Sequence, residues 1–250
     1  MAGPTGVPPG DRADYFRRTF RLPSERVIFS TFLPMDFRFY DPAVPPLVTQ
    51  GHLPHWEQED STYFITWRTA DSIPKQRAEY WHRLRAEWLR DHGISPDDSN
   101  WRRQVEVLPE EVRKEFRHFS WALDEEMDAC HGECLLKQRN CAAIISDALR
   151  YFDGERYLLG DFVVMPNHVR VLVGGMPRDA MKGQVKSWKR WSALGINKRL
   201  SRRGRFWQSE SFDHLVRSQA AFDRFRRYIA ENPVKAGLRE GEYYLWEREK

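Results

Sequence analysis

The spacing of apolar positions along the chain changes several times, and each change predicts an element. Residues 61–69, STYFITWRT, are β-branched and aromatic almost throughout, which predicts a strand. Beyond Pro74 the period lengthens. Tyr80, Trp81, Leu84, Trp88 and Leu89 recur mostly at three- and four-residue steps, so a helix is expected between Pro74 and Gly93. Residues 94–128 continue as charged helical segments broken at Pro96 and Pro109. Residues 134–137 read as a short strand. Asn140 is placed to cap a following helix with Ala143, Ile144, Ala148 and Leu149 as its apolar stripe. Residues 157–165 and 168–173 are two strands joined by Pro166-Asn167, an antiparallel hairpin. A helix over roughly 178–194, a basic loop at 201–205 and a last helix over about 219–231 follow, with Asn232-Pro233 expected to stop the last one.

Strand, helix, strand, strand, helix is the pattern of an α+β sandwich with helices on one sheet face. Ahead of it, residues 1–55 carry nine prolines and little periodicity, and are expected to form an extended, partly disordered arm. The main domain is expected over 56–240, with 94–128 as a helical insertion and 241–250 as a tail. No internal repeat is visible.

Composition narrows the class. The 250 residues are 41% apolar, enough for a sizeable core. No run approaches eighteen apolar residues, and the first fifteen have neither a basic start nor an apolar stretch. Neither a membrane-spanning helix nor a secretory leader is therefore expected. Three cysteines are too few for a disulfide framework and point to a reducing cytoplasm.

The net charge of +4 conceals an asymmetry. Residues 182–228 hold thirteen Lys/Arg against three Asp/Glu, a local +10, leaving the rest of the chain at −6. Trp188, Trp191, Phe206, Trp207, Phe212, Phe222 and Phe225 interleave with these charges. Basic side chains that neutralise phosphate beside aromatics that stack on bases suit single-stranded nucleic acid. The same composition fits a solvated face above core aromatics.

Two places look chemical. In MPNHVRVLV, residues 165–173, alternation puts Val169, Val171 and Val173 on one face of a strand and His168 and Arg170 on the other. A histidine and an arginine on one polar face can hold a metal or a phosphate, although a single strand histidine is more often structural. In RRYIAENP, residues 226–233, Tyr228 and Asn232 are four apart and share one face of a helix. Neighbouring positive charge favours the ionised phenol, as a nucleophile attacking phosphate requires. The amide oxygen of Asn232 suits a hard metal ion. A packing tyrosine and an asparagine C-cap would show the same spacing. Cys130, His131, Cys134 and Cys141 lack the paired spacing of structural zinc and read as buried free thiols. His52 and His55 have no matching partners.

The strings DFVVMPNHVRVLV, GRFWQSESFDHLVRS and RRYIAENPVKAGL together resemble the HUH single-tyrosine transposases of small bacterial insertion sequences, in particular the REP-associated tyrosine transposase branch. The resemblance spans roughly residues 56–240. It implies a ferredoxin-like antiparallel sheet and Mg²⁺- or Mn²⁺-assisted cleavage of single-stranded DNA near hairpins. It also implies a 5′-phosphotyrosine intermediate, and either a homodimer or a single chain. Carried over by motif, Tyr228 is the nucleophile, and His168 and Asn232 are metal ligands. Lys186, Lys189, Arg190, Arg202, Arg203 and Arg205 are the expected phosphate contacts.

One position departs from the motif. Arg170 stands where the family has its second histidine. A guanidinium stays charged and offers no lone pair to an ion. Either metal-assisted cleavage is impaired and DNA binding survives, or Arg170 clamps the phosphate itself. Asp213 and His214 are weaker candidates for replacement ligands. A transposase-derived regulator that binds DNA without cutting it is the competing reading.

Overall fold

A computed structural model describes residues 36–45, 47–49, 55–98 and 100–249. Most of the expected N-terminal arm lies outside them. The strands are β1 (Leu47–Thr49), β2 (His55–Glu57), β3 (Tyr63–Arg68), β4 (Leu158–Val164), β5 (His168–Gly174), β6 (Phe212–Leu215) and β7 (Tyr244–Trp246). The helices are α1 (Lys75–Asp91), α2 (Trp101–Glu106), α3 (Glu110–Asp128), α4 (Arg139–Arg150), α5 (Ala180–Arg199) and α6 (Gln219–Lys235).

Five strands form one antiparallel sheet in the order β6-β3-β5-β4-β7, and β1 pairs separately with β2. The four strands β3, β4, β5 and β6 have the interleaved order of the ferredoxin-like split βαβ unit, in which each crossover strand is separated from its mate by another strand. The fold is α+β, as the sequence pattern implied, with the ferredoxin-like antiparallel sheet that the resemblance implied. The placement of helices differs from that expectation. The face bearing Tyr63, Ile65, Trp67, Val169, Val171 and Val173 is covered by α4 and α5. The opposite face is also apolar, at Phe64, Val163, Met165 and Leu172, and α6 covers it through Ala221, Phe222 and Ile229. A sheet buried on both faces needs a cover on each. All seven residues of β4 and of β5 are accordingly buried.

Phe37 and Phe39 pack into the α6-side core beside Phe222, at 4.7 and 5.8 Å between ring centroids. Their seat requires two glycines. A Cβ at Gly160 would come within 2.8 Å of Leu172 Cβ and 3.2 Å of Phe37, and one at Gly174 within 2.9 Å of Thr62 Oγ1. Helices α1 to α3 form a satellite between β3 and α4, with Leu89, Ile94, Trp101 and Val105 as its core.

Local expectations fail at three points. Residues 134–137 are not a strand: Cys134 is left-handed at φ 50°, and Leu135–Lys137 is a single 3-10 turn that inserts Leu136 into the core. Asn140 caps nothing, because α4 already begins at Arg139. Its buried stripe is Cys141, Ala142, Ile145, Ser146, Ala148 and Leu149: Ala148 and Leu149 are buried as expected, while Ala143 is exposed and Ile144 half-buried. Pro233 does not stop α6. It lies in the last turn, where a missing N–H removes one bond only. The helix ends at Gly237, φ 65°, where Leu238 N donates to Pro233 O and Gly237 N to Val234 O, a complete Schellman closure.

Among the described residues no helix is long and apolar enough to cross a membrane.

Candidate functional site

Alternation along β5 turns His168 and Arg170 away from the valine face and toward α6. Polar as these two residues are, that face is buried. His168 is 0% exposed and Arg170 1%. From α6, Tyr228 and Asn232 meet them one turn apart. Asp128, the last residue of α3, closes the group from the helical satellite.

Arg170 is the hub. Its Nε–H donates to His168 Nε2 at 3.1 Å, one Nη donates to the Tyr228 hydroxyl oxygen, and the other donates to Asp128 Oδ1 at 3.2 Å. The guanidinium carbon also sits 4.5 Å from the centre of the Tyr228 ring. Asn232 Nδ2 donates to the same Asp128 oxygen at 3.0 Å, which turns Asn232 Oδ1 to within 3.3 Å of His168 Nε2.

These contacts fix the imidazole. His168 Nδ1 lies 2.9 Å from Asn167 Oδ1, and the Asn167 amide nitrogen is used toward Ser72 O and His131 O. Nδ1 must therefore carry the hydrogen, leaving the Nε2 lone pair to accept from Arg170. Burial, then the Arg170 charge, hold His168 well below the usual histidine range, against an opposing pull from Asn232. Burial pushes the Asp128 carboxyl up, while Arg170 and Asn232 draw it down.

The residues present do not fit a divalent ion. His168 Nε2 lies 3.6 Å from Asp128 Oδ1 and 3.3 Å from Asn232 Oδ1. The Arg170 guanidinium lies against two of these atoms, with Nε 3.1 Å from His168 Nε2 and Nη2 3.2 Å from Asp128 Oδ1: it takes the imidazole lone pair and brings a positive charge of its own. Among the described residues no group of three His, Cys, Asp or Glu side chains could hold a metal.

The structure thus brings together His168, Arg170, Tyr228 and Asn232. Lys186, Lys189 and Arg190 lie instead on α5, on the opposite side of the sheet. Lys189 donates to Ser209 O and Glu210 O, and burial pushes its pKa down to about 8. Arg202, Arg203 and Arg205 sit exposed on the loop after α5, with Arg202 paired to Glu133 and Arg205 Nε bonded to Trp207 O. Of the interleaved aromatics, Trp188, Phe206, Trp207 and Phe222 are buried in the core, so they present no face for stacking on bases. Asp213 and His214 belong to edge strand β6, separated from β5 by β3, and take no part in the group. Cys141 is buried and Cys130 and Cys134 half-buried, all three as free thiols.

Sequence reasoning missed Asp128, which ends a charged helix and carries no local signal. It also missed Asn167, although its place beside His168 in the turn was a usable one. A third omission is a recess of 250 Å³ on α6, lined by Arg224, Phe225, Arg227, Tyr228, Glu231 and Lys235. Lys235 Nζ lies 5.6 Å from the Tyr228 ring centre and 2.8 Å from Glu231.

No family model matches the chain, and no curated protein does. Two solved structures are similar. One is a REP-associated tyrosine transposase bound to a REP hairpin, 12% identical, covering 74% of each chain at a TM-score of 0.39. The other is a Deinococcus radiodurans R1 protein with a transposase assignment, 18% identical, covering 68% of this chain and 89% of that one at a TM-score of 0.27. At these scores the overall likeness leaves function to the site's own chemistry.

Proposed function

We propose that the chain binds single-stranded or hairpin DNA and is derived from tyrosine transposases, with strand cleavage through Tyr228 impaired by Arg170. The observation that carries this reading is the Arg170 guanidinium bonded at once to His168 Nε2, the Tyr228 oxygen and Asp128. Cleavage would join the Tyr228 oxygen to phosphorus and break the P–O3′ bond. O3′ would take up a proton and the phenol would lose one. In this chain His168 Nε2 already accepts a hydrogen bond from Arg170 and is not available to the phenolic proton. The Arg170 N–H groups are turned toward His168, Asp128 and Tyr228, which argues against a direct clamp on the scissile phosphate. DNA binding is supported by the three ordered sequence motifs and by the basic recess next to Tyr228.

The test is a hairpin-containing single strand incubated with Mn²⁺ and the native chain, Arg170→His, and Arg170→His combined with Tyr228→Phe. The native chain is expected to shift the DNA without a covalent adduct. Arg170→His is expected to give an adduct that survives denaturation, and Tyr228→Phe to remove it. An adduct formed by the native chain would overturn the impairment. Failure of the native chain to bind any such DNA would overturn the nucleic-acid reading.

A further inference from the structure

We infer that Arg170 is an internal cation standing in the place of a metal ion, locked there by Asp128, and that removing it uncovers a divalent-ion site made of His168, Asp128 and Asn232. The three donor atoms are already close together: His168 Nε2 is 3.6 Å from Asp128 Oδ1 and 3.3 Å from Asn232 Oδ1. The guanidinium lies against two of them, with one N–H on the imidazole and another on the carboxylate. The charge balance is met by one arginine and one aspartate. A divalent ion added to that pair would meet a fixed positive charge at hydrogen-bond range of its own ligands, and the imidazole lone pair it needs is already taken.

Asp128 has a double part here. It anchors Arg170 in the native chain, and it would supply the carboxylate oxygen once Arg170 is gone. It comes from α3, in the helical satellite, so that segment contributes a group to the site. An imidazole at position 170 would project from the same face of β5 as His168, two residues along. Two imidazoles, one carboxylate and one amide oxygen form a ligand set for a first-row divalent ion. The inference holds whether or not the chain binds DNA, because ion uptake can be read without nucleic acid.

The experiment uses the full chain, stripped with chelator and titrated with Mn²⁺, with bound ion read from the loss of the free-ion paramagnetic signal and folding checked by circular dichroism. The native chain is expected to show no saturable uptake. R170H is expected to take up about one ion per chain, and to lose it when Asp128→Asn is added. R170A removes the cation without adding a ligand and should take up the ion more weakly. It decides the matter if R170H does not fold. Saturable uptake by the native chain that His168→Ala abolishes would overturn the inference. So would folded R170H and folded R170A that both leave Mn²⁺ in solution. Loss of DNA binding in a separate assay would strike only the proposed function.

Discussion

A buried histidine facing a buried arginine is a costly pair of neighbours unless the histidine stays neutral. His168 does so because burial and then the Arg170 charge press its pKa far down, while Asn167 takes the Nδ1 hydrogen. A pH dependence follows. Unfolded, the imidazole binds a proton below its ordinary value of 6.5; folded, it does not. Folding therefore expels a proton below that value. The contribution to stability is complete above 6.5 and is lost as pH falls beneath it, by up to about 1.4 kcal/mol per pH unit. Asp128, raised chiefly by burial, works in the opposite direction, but from its ordinary value of 3.8 upward, and Arg170 stays charged throughout. Urea midpoints between about pH 7 and pH 5 should fall for the native chain and fall less steeply for His168→Gln. Equal slopes would show that His168 is protonated in the fold. At this scale strand alternation put His168 and Arg170 on one face and the helical turn put Tyr228 beside Asn232, while the meeting of the two pairs is a tertiary outcome. Nothing in the sequence pointed to Asp128, because a carboxylate that closes a site from another segment leaves no local pattern.

Helix α6 carries two of the site residues, and its position over the sheet rests on an ion pair of its own. Arg226 donates to Asp161 through Nε at 2.6 Å and Nη2 at 3.1 Å, and Asp161 is 2% exposed. Asp161 lies where the β4–β5 register shifts, and Arg248 N also donates to it, so the same carboxylate ties α6 and the segment after β7 to the sheet. Arg226→Ala would leave a buried charge without its main partner and should destabilise the fold by about 3 kcal/mol, read as a lower urea midpoint. A shift under about 1 kcal/mol would mean that Arg248 and water suffice. The long periodic elements were legible in sequence: β3, α1, the β4–β5 hairpin and α5 all formed where the pattern put them. The short ones were not. A 3-10 turn at Leu135–Lys137 and a proline accommodated in the last turn of α6 depend on what packs against them, which local pattern does not record.

Across the whole molecule the +10 segment does not make one continuous surface. Its first part covers one side of the sheet on α5 and its last part covers the other on α6, so the local charge is divided between the faces. The DNA strand should therefore follow the α6 face. Arg224→Ala with Arg227→Ala is expected to weaken hairpin-DNA binding at least about tenfold and to flatten its salt dependence, while Lys186→Ala with Arg190→Ala changes it little. Fluorescence anisotropy at two salt concentrations reads both, and the reverse ranking would move the path to α5.

By itself the sequence determined the α+β class, the antiparallel hairpin with His168 and Arg170 on one face, and the Tyr228–Asn232 pair on one helix. These follow from periodicities of two and 3.6 that act within a few residues. Only the tertiary structure decided that both sheet faces are buried, that most of the tryptophans beneath the basic residues are core, and that Arg170 is held among His168, Tyr228 and Asp128. Those outcomes depend on which distant segments meet, and burial is what turns an arginine on a strand into a fixed charge that excludes an ion.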